Sequence, residues 1–506
     1  MIRRIKNKNT LATLLLFLVL FASCTKKLEL ENPNSLTNAN FWKTESDVLS
    51  GLAATYKVFK DINGGLFGVR GVELTNGRGD DFFIRNDVQA LYQLSTFTNN
   101  PTTQTPRDIY ATAFRAIFRA NQVIENTPKI EMDETKKSAL VAEAKFLRAL
   151  SYFHLVINFG SIPIITIVPQ NREDYFVGPS PEEDIWNLII NDLSEAKELL
   201  PLDYPAEYVG RATKGAAIGM LGKVYLYMER WEDAEKELDI VTKAPFSYDL
   251  LANYEHNFMA EYDNNTESLF EIQMQNVGGP GPWAGENANE SQGTTVAQEF
   301  APAEVAGWFE AFPTNKIFEA FQKEKTIDND FDPRMYASLV WNYPNAIYYN
   351  KPFSTFKLQF GFNSMIRKYQ NWRQDDEGIF ISEINEKVLR FADILLMRAE
   401  ALINLNRSAD AYPLINRIRQ RAKLKPLVDG MTTTALKNEL IHQRMIEFFR
   451  EGLRFYDLKR WGLVEQEIKN SDKEGRQFLT LPKHAYFPIP QDELNTNPNM
   501  TQNPNW

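Results

Sequence analysis

The sequence predicts an all-α protein in which pairs of helices repeat and one large irregular region separates two helical halves. Apolar residues recur at helical spacing in residues 107–126 and 134–158. A characteristic spacing of small and apolar residues occurs in residues 211–243 and again in residues 399–415. Between these halves, residues 244–385 lose the helical pattern. Together these observations favour a helical-repeat body with a loop-rich insertion.

The first predicted helix spans residues 41–60, where Val48, Leu52 and Tyr56 recur at helical spacing. Residues 61–101 contain six glycines and are predicted to form a long loop. Connecting segments carry binding residues more often than the elements they join. This loop is therefore a candidate for part of a ligand-binding surface.

The next helices have recognisable ends. The helix over residues 134–158 ends before Gly160, and glycine is typical of the residue that follows a helix. Another helix begins after Pro181, where three acidic residues follow. Acidic side chains suit the positive N-terminal end of a helix dipole, so these residues indicate a helix start.

Residues 211–243 match the spacing of a tetratricopeptide repeat, which is a pair of packed helices. Gly222 and Ala234 are small where two helices would touch, while Leu221 and Tyr225 would fill the space between them. Leu238 completes the pattern, and the same spacing as from Gly222 to Leu238 recurs farther along at Ala399, Leu402, Ala411 and Ile415. One repeat cannot bury its faces alone, so we expect three or four stacked pairs, from residues 107–243 and 388–470.

The insertion, residues 244–385, is rich in proline, asparagine and aromatic residues. Within it, residues 267–275 alternate between apolar and polar side chains, which predicts a strand. Irregular insertions of this length are commonly functional, so residues 61–101 and 244–385 are predicted to form the ligand-binding part. The final residues, 491–506, are rich in asparagine and proline and, taken alone, are typical of a disordered segment.

Residues 1–23 have the order of a secretory signal peptide: a basic start, a short apolar run and small residues before the cleavage point. Cys24 follows at once and is the only cysteine, so an internal disulfide is excluded. A lone cysteine in this position resembles a bacterial lipobox, in which acyl chains on the thiol hold the protein on a membrane. Residues 24–40 would then be the lipid anchor and tether. A plain secreted protein cleaved near Ser23 is the alternative.

The composition excludes several classes of function. The formal charge is −10, and removing the signal peptide takes away four basic residues and no acidic one. Such an acidic chain attracts phosphate backbones weakly, so we expect no nucleic-acid partner. The four histidines lack the spacing of metal ligands, and no phosphate-binding or hydrolase motif occurs, so neither a metal nor a cofactor is expected. His154, on an apolar helix, is predicted to be structural.

Two kinds of residue are candidates for binding a sugar. The glycine-rich segment 73–86 carries short amides, acids and a guanidinium suited to hydrogen bonds with hydroxyl groups, at Asn76, Arg78, Asp80 and Asp81. The alternative is that the two aspartates cap helices and satisfy buried backbone. Aromatic rings can cover the C–H face of a pyranose, and the insertion offers them at Trp283, Trp341 and Trp372.

Paired carboxylates are candidates for a catalytic site, because glycosidases use two of them. The candidates are Asp80 with Asp81, the cluster at residues 328–332 and the cluster at residues 375–377. Solvated loops or helix caps are the favoured interpretation of all three. The cluster at residues 328–332 is also a candidate for a weak calcium site, although it lacks the glycine and glutamate of an EF-hand loop.

Six segments, taken in order, resemble the SusD/RagB family of outer-membrane lipoproteins. They are NPNSLTNANFWKTESDVLSGLAATY, AEAKFLRALSYFHLVINFGSIPI, RATKGAAIGMLGKVYLYMERWEDAEKEL, RFADILLMRAEALINL with INRIRQRAKL, IHQRMIEFFREGLRFYDLKRWG and FPIPQDELNTNPNMTQNPNW. The chain departs from the family where Asn505 and Trp506 replace a common Gly and Tyr, and where Lys26 and Lys27 precede the acidic residues after the cysteine.

This resemblance implies a single SusD-like domain over residues 41–506, anchored through lipid on Cys24 and facing the cell exterior. It implies a protein that is not an enzyme, that holds an oligosaccharide or a peptide, and that delivers it to a SusC-like TonB-dependent barrel. The aromatic content favours the oligosaccharide. Three alternatives stay open: a peptide-binding member of the same class, a tetratricopeptide scaffold that binds only protein, and a helical glycoside hydrolase.

Overall fold

The computed structural model describes residues 41–60, 66–71, 76–277, 292–378 and 381–506. The predicted signal peptide, Cys24 and the tether lie outside the described residues, and so does Trp283. Among the described residues, no helix is both long and apolar enough to cross a membrane.

Helices dominate the described part of the chain, which confirms the predicted fold class. They are α1 Glu45–Phe59, α2 Gln89–Ser95, α3 Gln104–Asn126, α4 Glu134–Phe159, α5 Glu182–Leu199, α6 Lys214–Tyr227, α7 Trp231–Ile240, α8 Val296–Phe300, α9 Asn315–Phe321, α10 Pro333–Ser338, α11 Phe391–Asn404, α12 Ser408–Arg421, α13 Thr433–Glu447, α14 Arg454–Arg460, α15 Val464–Lys469 and α16 Gln491–Thr496. The strands are β1 Phe82–Ile84, β2 Ser268–Ile272, β3 Ala311–Pro313, β4 Leu339–Trp341, β5 Ile347–Tyr348, β6 Lys351–Pro352, β7 Ser364–Ile366 and β8 Glu386–Arg390.

The long helices form one continuous stack. Helix α1 packs on α3, and then each helix from α3 to α7 packs on the next. Helix α7 packs on α11, so the stack continues across the insertion to α11 and α12. Gly222 shows why small residues are needed here: a Cβ atom at Gly222 would lie 2.6 Å from the side chain of Leu238 on α7. Ala234 and Leu221 are fully buried in the same contact, as the repeat spacing predicts.

The described residues contain four two-stranded antiparallel sheets, formed by strands of the insertion and of the segments beside it, rather than one large sheet. They pair β1 with β3, β2 with β8, β4 with β7 and β5 with β6. The strand predicted in residues 267–275 is confirmed as β2, although four consecutive residues of it, from Leu269 to Ile272, are buried. Two apolar clusters separate from the main helical core fill this part of the molecule.

Two predictions of irregular structure were wrong. The predicted loop over residues 61–101 contains β1 and α2, and Leu91 and Leu94 of α2 are buried. The C-terminal segment contains α16 and packs against the body. The Nδ2 of Asn503 donates to the carbonyl oxygens of Phe159 at 2.8 Å and Phe487 at 2.7 Å. Asparagine is used there to satisfy backbone carbonyls, so its abundance does not indicate disorder.

Buried ion pairs join the helical body to the insertion. The fully buried carboxylate of Glu447, on α13, accepts hydrogen bonds from three guanidinium groups: Arg334 of α10 at 3.2 Å, Arg390 of β8 at 3.1 Å and Arg421 of α12 at 2.5 Å. Burial alone would raise the pKa of the Glu447 carboxyl. The three arginines outweigh burial and hold that pKa well below its usual value. Glu447 is therefore an ionised group at the junction of two parts of the fold.

His154 should make the protein sensitive to acid. Burial first, and Lys223 second, lower the pKa of His154 from 6.5 to about 3, and neither ring nitrogen has a hydrogen-bond partner in the described chain. Between those two pH values the unfolded chain binds more protons than the folded chain. The free energy of unfolding therefore falls as the pH is lowered through this window.

We expect the substitution His154→Phe to flatten this pH dependence by a few kcal/mol between pH 6.5 and 4. Urea unfolding at both pH values measures it. Phe153→Leu is the matched control: its ring packs on His154 at 5.9 Å, and it should lower stability equally at both pH values. An unchanged slope in His154→Phe would contradict this role of the buried histidine.

Candidate functional site

A cleft of about 270 Å³ lies on the insertion, close to the end of α12. We call it the polar cleft and define it by six of its lining residues: Asn253, Glu255, Asp330, Tyr336, Arg367 and Lys423. Its volume is just below the roughly 300–1,000 Å³ range that is usual for ligand sites. An aromatic ring beside amide and charged groups is an arrangement suited to binding a polar ligand.

Helix α10 positions the aromatic residue of the cleft. Asp332 caps this helix, because its Oδ1 accepts a hydrogen bond from the backbone N–H of Arg334 at 2.8 Å, and Pro333 occupies the first helical position. Tyr336 then extends from the helix and its hydroxyl donates to Asp330 Oδ1 at 2.9 Å. Burial and this hydrogen bond raise the pKa of Tyr336 to about 12. The phenol therefore keeps its proton at neutral pH.

Arg367, just after β7, is a second charged residue that lines the cleft. Its Nη2 lies 3.6 Å from Glu255 Oε1, and its Nη1 donates to the hydroxyl of Tyr343 at 3.3 Å. Burial lowers the pKa of Arg367, and Glu255 counteracts it. Its guanidinium carbon also lies 3.4 Å from the ring centroid of Trp372. The guanidinium is thus fixed by contacts on several sides and is already oriented before a ligand enters.

The structure places Trp341 and Trp372 directly behind the lining of the polar cleft. Trp341 is 7% exposed and packs on Tyr336 with ring centroids 5.1 Å apart. Trp372 is partly buried, and its indole Nε1 donates to Glu255 Oε1 at 3.1 Å. Each tryptophan therefore supports a residue that lines the cleft. Their direct contact with a ligand stays a prediction.

The structure places Arg78 in the interior, not on a ligand-facing loop. Arg78 is 2% exposed, and its guanidinium lies 4.0 Å from the ring centroid of Phe455 and 3.9 Å from that of Phe487. Its Nη2 donates to Asn158 Oδ1 at 3.0 Å, and burial lowers the pKa of Arg78 to about 10. A ligand at the surface does not reach this side chain. The described structure does not cover the side chain of Asn76.

Asp80 and Asp81 are also buried, at 0% and 2% exposure. Asp80 accepts two hydrogen bonds from Arg454, at 2.7 and 2.8 Å, and pairs with Lys316 at 2.7 Å. Although burial alone would raise it, these cations hold the pKa of Asp80 well below its usual value. Burial and the charge of Asp80 raise the pKa of Asp81 to about 7. These contacts give Asp80 a structural role, through ion pairs and not through the helix cap that was the alternative in the sequence analysis. Asp81 is buried next to it in the chain.

Replacing Asp80 by asparagine should therefore destabilise the fold. We expect a loss of about 3–5 kcal/mol, because Arg454 would stay buried without its charged partner. Chemical denaturation measures the loss, with Asp87→Asn as the control, since Asp87 pairs with Arg85 at the surface and is 60% exposed on its side chain. A stable Asp80→Asn protein that fails to bind ligand would instead support the original ligand-binding prediction.

The other acidic clusters are also engaged within the protein. Asp332 pairs with Arg334, and Glu377 accepts hydrogen bonds from Tyr349 and Asn371. Asp375 accepts one from Asn350 at 3.0 Å. Among the described residues, no group of three or more histidine, cysteine, aspartate or glutamate side chains is placed to hold a metal ion. The cluster at residues 328–332 therefore does not converge on a calcium site.

A larger groove of about 730 Å³ runs between α3 and the C-terminal segment. Its lining is mostly apolar and includes Tyr110, Phe114, Phe118 and Phe176. Sugar hydroxyls need hydrogen-bond partners, and a mostly apolar wall offers few of them, although Arg107, Arg172 and Asp492 also line the groove. The polar cleft is thus the better candidate for a sugar.

A helical stack with an irregular insertion that carries a cleft defines a helical-repeat binding protein, and the comparisons with known proteins place it in a family. Residues 266–506 match the SusD family, and residues 28–226 match a family described as starch-binding and associating with the outer membrane. The chain belongs to the SusD family, which confirms the resemblance noted in the sequence.

Several relatives are similar along almost their whole length. A solved SusD superfamily protein from Bacteroides vulgatus is 35% identical, with a TM-score of 0.85, and the match covers 92% of this chain and 100% of that one. A laminarin-binding SusD-like protein is 26% identical, with a TM-score of 0.79 and coverage of 92% and 100%. A SusD-like protein of Formosa agariphila is 28% identical over 94% of each chain.

Proposed function

We propose that this protein is an outer-membrane lipoprotein that binds an oligosaccharide at the cell surface and delivers it to a SusC-like TonB-dependent transporter. The observation that carries the proposal is membership of the SusD family, together with similarity to a laminarin-binding relative over 92% of the chain. The polar cleft supplies a place for the sugar on this chain.

Binding in the polar cleft would need no covalent step. The ring of Tyr336 would cover the C–H face of a sugar, while Glu255 and Asp330 accept hydrogen bonds from hydroxyl groups. Arg367 and Lys423 would donate to ring and hydroxyl oxygens. Trp341 and Trp372 would support the cleft from behind. Their direct contact with the ligand stays part of the proposal, as do the predicted ligand residues Trp283 and Asn76.

The transporter and the membrane anchor belong to the same proposal. Lipid on Cys24 and the tether, residues 24–40, would hold the domain at the outer membrane, which agrees with the family description matched by residues 28–226. The stacked helices form a rigid body that can rest on a barrel and close over it as a lid. In this arrangement the protein holds its ligand and performs no catalysis.

Calorimetry on the chain starting at Thr25 tests the proposed function. The protein is titrated with a panel of laminari-, malto- and cello-oligosaccharides and short peptides, and each mixture is assayed for new reducing ends. We expect heat with at least one oligosaccharide and no new reducing ends. New reducing ends would favour the hydrolase, heat only with peptides would favour the peptide-binding alternative, and no heat at all would contradict ligand binding by the isolated protein.

A further inference from the structure

A second cleft, of about 400 Å³, lies on the helical body. It is formed by the connection between α5 and α6, by residues 245–248 after α7, and by the residues that lead into β2. We call it the tyrosine cleft and define it by Tyr204, Phe246, Ser247, Tyr248, Thr266 and Ser268. It shares no lining residue with the polar cleft, so a ligand in one leaves the other free.

The aromatic residues of the tyrosine cleft are held in fixed positions. The rings of Phe246 and Tyr248 lie nearly parallel, 14° apart, with centroids separated by 6.0 Å. Gly215 makes room for Tyr248, because a Cβ atom at that position would come within 2.3 Å of the tyrosine hydroxyl. The hydroxyl of Tyr204 donates to the buried carboxylate of Glu143 at 2.9 Å. These rings therefore form a preorganised apolar surface.

Most charged side chains at the tyrosine cleft form ion pairs with other residues of the protein. Arg211 pairs with Glu143, and Glu271 pairs with Lys387 at 2.9 Å. Asp203 is an exposed carboxylate without an ion-pair partner in the described chain, and it disfavours an anionic ligand. An ionic ligand would thus meet little complementary charge in this cleft.

Neutral hydroxyl groups are the polar groups left for a ligand. The side-chain hydroxyls of Ser247, Thr266 and Ser268 line the cleft, and within the described residues they have no hydrogen-bond partner. Hydroxyl groups can both donate and accept, as sugar hydroxyls do. Aromatic rings beside such groups match the two chemical faces of a neutral sugar.

We propose that the tyrosine cleft is a second binding site, specific for a neutral oligosaccharide and independent of the polar cleft. Two sites on one rigid body would let a long glycan bind at both places, which raises its apparent affinity without new contacts at either site. The proposal concerns a separate part of the surface, so it can fail while the proposed function stands.

The test uses a chain from Thr25 in which the polar cleft is disabled by Tyr336→Ala and Arg367→Ala. Calorimetry measures the binding of three probes to this variant: laminarihexaose, maltohexaose and cellohexaose. We expect at least one of them to bind this variant at a stoichiometry near one. Adding Ser247→Trp, which places a large side chain in the lining of the tyrosine cleft, should weaken that binding at least tenfold. Ser46→Trp, at another exposed serine on α1, is the matched control and should change nothing.

The outcomes separate the two proposals. If the disabled variant binds none of the probes, or if Ser247→Trp leaves the residual binding unchanged, the second site is overturned. Loss of all binding in the disabled variant, with binding intact in the natural chain, would leave the polar cleft as the site and the proposed function in place.

Discussion

Replacing Glu447 by glutamine should remove a large part of the stability of this protein. The carboxylate is fully buried and accepts hydrogen bonds from Arg334, Arg390 and Arg421. Glutamine keeps the shape but not the charge, so three buried cations lose a shared counter-charge. Removing one partner of a buried ion pair lowers the free energy of unfolding by about 3–5 kcal/mol. Since whole proteins are stable by only about 5–15 kcal/mol, we expect a folded state that is marginal at best.

Thermal and urea unfolding measure this effect. Glu465→Gln is the matched control, because Glu465 pairs with Lys469 one helical turn away and its side chain is 59% exposed. Surface pairs of this kind contribute at most about 1 kcal/mol. Equal stability of the two variants would show that the buried network does not hold the insertion on the helical body.

Truncating the polar cleft should weaken sugar binding strongly without unfolding the protein. We expect Tyr336→Ala to remove the aromatic surface and Arg367→Ala to remove a charged hydrogen-bond donor. A hydrogen bond to a charged group contributes about 1.5–3 kcal/mol, and each 1.4 kcal/mol changes the affinity tenfold. Arg367→Ala should therefore reduce affinity at least tenfold for the oligosaccharide found by titration, and Tyr336→Ala should reduce it as well.

Calorimetry on each variant gives the affinity, and thermal unfolding confirms that the variant is folded. Tyr175→Ala is the matched control, since this tyrosine is 48% exposed on the helical body, away from the polar cleft. Unchanged affinity in both cleft variants, or an equal loss of affinity in the control, would contradict the polar cleft as the main binding site.

The helical body could be predicted from the sequence because its signals are local. Gly222 and Ala234 mark a close helix contact within 13 residues of one another, and the same spacing repeats along the chain. Strand β2 could be predicted for the same reason, from the local alternation of apolar and polar side chains in residues 267–275. In contrast, α2 spans only seven residues, which is too short for a helical period to stand out among the glycines around it.

The site could be predicted only in part, because its residues come from distant parts of the chain. Glu255, Tyr336 and Arg367 lie in three separate segments, and no local pattern links them. The prediction from residues 73–86 depended on polar side chains in a glycine-rich loop. Arg454, the ion-pair partner of Asp80, lies 374 residues farther along the chain, and local composition does not indicate that it neutralises that carboxylate.

A crystal structure of the chain from Thr25 with the oligosaccharide that binds most tightly would show directly where the ligand lies. We expect an intact sugar chain in the polar cleft, with one ring against Tyr336 and hydroxyl groups bonded to Glu255 and Arg367. A sugar bound elsewhere with the polar cleft empty, or a cleaved glycosidic bond, would contradict it.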